Sequence, residues 1–146
     1  MRTLYTILLT GMALIGLMPC SRAAESDKEV EARKVALELA GAFSNDGFKI
    51  RDGHWTGPIK KGEDALIAVN LYAGNQYWFS IGADGGAKNF NVQVYDETGK
   101  PLTSEIYQDE EKVAAGFSPT LSGQYFVGIG PLEGAAGTFC LVYSYK

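Results

Sequence analysis

From Gly47 to the last residue the chain alternates apolar and polar side chains with a period of two, restarting after each turn. Phe48 and Ile50 open the series, and Ala65, Ile67, Val69 and Leu71 carry it on to the turn Ala73-Gly74-Asn75. Tyr77, Phe79 and Ile81 follow, then Phe90, Val92 and Val94, closed by Asp96-Glu97-Thr98-Gly99. Val113, Ala115 and Phe117 form a weaker set, while Tyr125, Val127, Ile129 and the final Phe139, Leu141, Tyr143 and Tyr145 form strong ones. Side chains alternate across a strand, so each segment has one apolar face to bury. Seven to eight short strands punctuated by turns predict a mainly β chain, an antiparallel jelly-roll-like β-sandwich over residues 47–146. Eighteen glycines against five prolines suit the tight turns this needs.

Ahead of the strands the period changes. Ser26 and Glu29 have the spacing of a capping box, and Asp27, Glu29 and Glu31 place negative charge where the helix dipole favours it. Val35, Leu39, Ala42 and Phe43 fall on one face, with Ala32 and Ala36 beside them. The turn residues Ser44-Asn45-Asp46-Gly47 end the pattern. An N-terminal amphipathic helix over Asp27 to Phe43, within residues 24–46, is expected.

Residues 1–23 read as a signal peptide. Arg2 supplies the positive charge, a mostly apolar run extends from Ile7 to Met18, and Pro19 breaks it. Small residues at Ser21 and Ala23 place the cut between Ala23 and Ala24. An uncleaved anchor would need roughly 20 apolar residues, more than this run offers. Acylation at Cys20 is disfavoured by Pro19, which stands where a lipobox takes Gly, Ala or Ser. The expected location is periplasmic or secreted. Losing Arg2 and Arg22 with the leader takes the net charge from −4 to −6, which argues against nucleic acid and anionic membrane surfaces as partners. Cleavage also leaves Cys140 as the single thiol, either a buried small residue or the site of an intermolecular disulfide.

Three stretches carry a resemblance. Leu71-Tyr72-Ala73-Gly74-Asn75-Gln76-Tyr77-Trp78-Phe79 resembles the "L-x-A-G-x-x-Y-x-F" stretch of bacterial pre-peptidase C-terminal (PPC-type) domains. Val92 to Gly99 is similar to their "V-x-V-Y-D-x-x-G" strand and turn, and Phe117-Ser118-Pro119 with Ser122 to Val127 to their "F-x-P…S-G-x-Y-x-V" segment. The resemblance implies a jelly-roll-like sandwich of secreted bacterial proteins, usually non-catalytic and in some members binding calcium or extracellular polymers. Two departures stand out: no catalytic domain precedes the sandwich in this sequence, and Lys88-Asn89-Phe90-Asn91 replaces the aspartates that often precede the central strand.

Catalytic chemistry has little to build on. His54 is the only imidazole, and no Gly-x-Ser-x-Gly elbow is present to supply it with a nucleophile. The glycine-rich Gly82 to Gly86 and Gly128-Ile129-Gly130 lack the Gly-Lys-Ser/Thr step of a phosphate loop. No cofactor is expected, apart from calcium, for which Asp84, Asp96 and Asp109 are the candidates, although consecutive acids mostly splay apart. More informative are Trp78, Tyr95 and Phe126, which alternate onto the face opposite the core set. Large apolar groups there need a cover or a partner. The helix face of Val35, Leu39 and Phe43 is one cover. The other reading is an aromatic platform, extended by Trp55 and Tyr72, for a sugar ring or a partner chain. The sequence therefore points to an exported non-catalytic binding module for an envelope or extracellular protein or polysaccharide. A structural subunit of an envelope complex, oligomeric through Cys140 or its edge strands, is the alternative, with a small secreted hydrolase third.

Overall fold

The structure, a computed structural model, describes residues 25–84, 86–131 and 136–146. The leader, its cut and Cys20 lie outside the described residues. Helix α1 (Asp27–Ser44) starts as its sequence requires: Ser26 Oγ accepts from the Glu29 amide at 3.3 Å, and Glu29 Oε2 accepts from the Ser26 amide at 2.8 Å. Asn45 caps the other end, and Gly47, at φ +88°, takes the left-handed conformation that turns the chain into the first strand.

Among the described residues ten strands follow, all paired antiparallel in two sheets. In the first sheet, β1 (Lys49–Ile50) and β2 (Trp55–Ile59) both pair with β10 (Gly137–Tyr145). Next to β10 come β4 (Tyr77–Ala83), β8 (Lys112–Phe117) and β7 (Glu105–Gln108). The second sheet runs β3 (Ala65–Leu71), β9 (Gly123–Pro131), β5 (Phe90–Tyr95) and β6 (Pro101–Leu102). The orders β2-β10-β4-β8 and β3-β9-β5-β6 are those of a jelly roll, with the chain stepping repeatedly between sheets. Three strands add to the seven segments visible in the alternation. Gly57 and Pro58 interrupt the pattern in β2, β6 has only two residues, and all four residues of β7 are exposed.

The core between the sheets is made of the alternating sets. Ile67, Val69, Leu71, Phe90, Val92, Val94, Tyr125, Val127 and Ile129 face Tyr77, Phe79, Ile81, Val113, Ala115, Phe139, Leu141 and Tyr143. All are buried, each valine, leucine, isoleucine or phenylalanine among them contributing about 1.5–3 kcal/mol where burial is complete.

The helix makes a third layer on the outer face of the first sheet, against β4 and β10. Its buried face is not the one its larger side chains suggested. Ala32, Ala36, Leu39 and Ala40 are buried, Val35 and Phe43 are half-buried, and Ala42 is exposed. The cause is close approach. A Cβ on Gly82 of β4 would collide with the Ala36 amide and the Ala32 carbonyl and stand 2.8 Å from Val35 Cβ. Only small side chains let the helix backbone come that near, so alanines at four-residue spacing settle on Cys140 and Val142.

Candidate functional site

The five aromatic residues expected to form one platform occupy four different places. Trp78, on the outer face of β4, lies beneath the helix, its ring stacked on Phe43 at 4.2 Å with the planes 8° apart. Its other side rests on Gly116 of β8, where a Cβ would stand 2.9 Å from Trp78 Cζ2. Helix and sheet thus clasp Trp78: of the two readings, cover by the helix face holds, and Trp78 drops out of the candidate platform. Trp55 is drawn to the rim of the core, stacked on Tyr143 at 5.7 Å. Tyr72 stands 64% exposed where β3 leads to β4.

Tyr95 and Phe126 remain together and uncovered by α1, which packs on the opposite side of the sandwich. They are direct register partners on β5 and β9, on the outer face of the second sheet. The next row of that face holds Leu66, Gly128 and Gln93. Gly128 shapes the surface: a Cβ there would fall 2.8 Å from Tyr95 Cε2 and 3.3 Å from Leu66 Cδ2. The missing side chain lets the tyrosine ring and the leucine lie over the strand, and Leu66 stays 62% exposed. Two strides along β9, Gly130 is similarly overlain by the Asp64 carboxylate.

Together Leu66, Tyr95 and Phe126 floor a shallow depression of about 360 Å³, rimmed by Asp64, Glu97 and Thr98. The rim is fixed by one side chain. Asp96 Oδ1 accepts from Thr98 Oγ1 at 2.6 Å, the Thr98 amide at 2.9 Å and the Lys100 amide at 3.0 Å, with Gly99 at φ +84° completing the turn. The Thr98 hydroxyl and then the Lys100 amide hold the Asp96 carboxyl below its ordinary range. An apolar floor inside a pre-set polar rim is suited to ring stacking and surface recognition. Leu66 was not singled out from sequence, and Gly128 and Gly130 were weighed only as a phosphate loop and set aside. Their signal is an outward leucine on one strand opposite alternate glycines on the next.

The remaining expected residues serve the fold. His54 Nε2 stands 3.7 Å from Glu25 Oε1, while Glu25 also pairs with Arg33 at 2.7 Å and Glu29 accepts from Thr56 Oγ1 at 3.3 Å. These contacts tie the start of α1 to β2. Cys140 is fully buried beneath α1, and desolvation pushes its thiol up to about 12. As a route to oligomers, a Cys140 disulfide would therefore require the helix to lift. Of the calcium candidates, Asp84 accepts from the Thr138 amide at 3.0 Å with Lys28 Nζ at 4.0 Å. Asp96 holds its turn, and Asp109 accepts from the Glu110 amide at 2.7 Å. Among the described residues no three His, Cys, Asp or Glu side chains are grouped to hold a metal ion.

The chain matches no protein-family model and no curated protein. No described helix is long and apolar enough to cross a membrane.

Proposed function

We propose that this chain is an exported, non-catalytic binding module that recognises an envelope or extracellular protein or polysaccharide through the outer face of its second sheet. One observation carries the reading. The two outer faces of the sandwich differ: the helix packs over Trp78 on one, while on the other the half-buried Tyr95–Phe126 pair and the exposed Leu66 have no helix over them. Flat rings offer large contact area at little entropic cost, and the hydrogen-bonded turn at Asp96 needs no ordering on binding. The acidic rim of Asp64 and Glu97 favours neutral or basic ligands. The resemblance to PPC-type domains, usually non-catalytic parts of secreted proteins, supports the same class.

The test is a titration of the purified protein with envelope proteins and polysaccharides, alongside a Tyr95→Ala, Phe126→Ala double variant. Specific binding lost in the variant supports the reading, provided its melting temperature stays near that of the wild type. Binding that survives the double substitution moves recognition elsewhere.

A second reading, assembly through strand pairing, is favoured by β3. It is an edge strand of seven residues, Ala65 to Leu71, without a charge or a proline to blunt it. A sedimentation profile heavier than the monomer, returned to monomer by Ala68→Lys, would support that alternative.

A further inference from the structure

Where β3 hands over to β4, a second depression of about 360 Å³ opens, lined by none of the residues of the Tyr95–Phe126 floor. Its wall is made of Arg51, Asn70, Tyr72, Tyr77, Tyr143 and Tyr145, with Asn75 at the loop. In a chain with 17 acidic residues, no carboxylate of the described residues lines it. Among the described residues no leucine, isoleucine, valine or methionine lines it either, so they form no greasy socket for an apolar peptide side chain.

The donors are held in place by the fold. The Tyr77 hydroxyl accepts from the Tyr72 amide at 2.9 Å and from Asn75 Nδ2 at 3.1 Å, which leaves its own proton to donate. Burial raises the Tyr143 phenol above its ordinary range against the pull of Arg51, so that hydroxyl also keeps its proton. The Arg51 guanidinium stands 5.2 Å from the Tyr143 ring centroid, and among the described residues it pairs with no carboxylate. The site thus has one cation, several hydroxyl and amide groups, and the exposed rings of Tyr72 and Tyr145.

A single anionic group on a polyhydroxylated ring matches this set. The carboxylate answers the guanidinium, vicinal hydroxyls answer the phenols and amides, and the C–H face of the ring answers Tyr72. The single guanidinium matches the one charge of a carboxylate. We propose that this cleft binds a carboxylated sugar, a hexuronate residue of an acidic polysaccharide, with Arg51 on the carboxylate and Tyr72 beneath the ring. The proposal is independent of the Tyr95–Phe126 surface.

The experiment is calorimetric titration of the purified protein with trimers of galacturonate and of mannuronate, with maltotriose as the uncharged trimer and a short peptide with a free C-terminus. Arg51→Gln and Tyr72→Ala alter exposed side chains, so thermal melting near that of the wild type confirms that both fold. Tyr95→Ala is the control for the other surface. At least one uronate trimer should bind and maltotriose should not. Arg51→Gln should weaken uronate binding about tenfold or more, Tyr72→Ala should also weaken it, and Tyr95→Ala should leave it unchanged. The proposal is overturned if neither uronate binds, if maltotriose binds equally well, or if Arg51→Gln has no effect. Binding of the peptide in place of the uronates would also overturn it, making the cleft a peptide-carboxylate site.

Discussion

Phe43 of helix α1 lies flat on Trp78 of strand β4, ring centroids 4.2 Å apart and planes within 8°. This contact covers part of one outer face of the sandwich, and the proposed Tyr95–Phe126 recognition surface lies on the other. Truncating Phe43 to alanine should cost about 2 kcal/mol, from the lost stack and partial burial together. In a Trp55→Phe background, Trp78 emission should shift to the red as water reaches the ring. Urea melts followed by that emission check both.

Gly82 is where the helix backbone meets the sheet, so the smallest added group is felt there. Gly82→Ala should destabilise the protein by about 1–3 kcal/mol through overpacking, although alanine is elsewhere a mild change. Thermal unfolding of the variant, compared with alanine at the open position Gly41, provides the check.

The thiol of Cys140 reports on the helix. Buried and raised to about 12, it should react with Ellman's reagent slowly in the native protein and at once in urea. Because the folded-state value lies above the unfolded one, the native state holds the proton more tightly. Its contribution to stability is complete below the ordinary thiol range near 9 and lost as pH rises towards 12. Denaturation midpoints should fall over that interval, and less so in Cys140→Ala.

Acid acts in the opposite sense on two carboxylates. Hydrogen bonds from the Ser26 amide and hydroxyl lower Glu29, and those from Thr98 and Lys100 lower Asp96. Each contribution is present above the ordinary carboxylate range and lost as pH falls through the depressed folded value. Amide exchange at Thr98 and Lys100, corrected for intrinsic pH dependence, should therefore speed up in acid. In Asp96→Asn that pH dependence should be absent.

Much of this architecture is legible in the alternation, because the core faces of β3, β4, β5, β9 and β10 each present an unbroken apolar set. The helix ends were legible too, since Ser26, Glu29 and Gly47 leave local marks. The helix-to-sheet contact was harder to read. Ser80, Gly82, Cys140 and Ser144 look like an ordinary solvent-facing row, yet all are buried beneath the third layer. The clue was smallness on both partners, with Ala32, Ala36 and Ala40 opposite a glycine, and larger residues at Val35 and Phe43 masked it. The Tyr95–Phe126 surface was half legible. Both rings stood on the outward face by period, but their separation from Trp78 depends on which sheet each strand joins. The Arg51 cleft draws side chains from four chain segments, so no local pattern announces it.

The central claim is that recognition belongs to the face without the helix. The most direct measurement takes an envelope or extracellular ligand that the protein binds, other than the uronates of the Arg51 cleft, and compares its affinity for two folded variants, Tyr95→Ala with Phe126→Ala against Trp78→Phe. Loss of binding in the first and wild-type affinity in the second is the predicted result. Wild-type affinity in the first with loss in the second would contradict it, placing recognition at the helix-covered sheet.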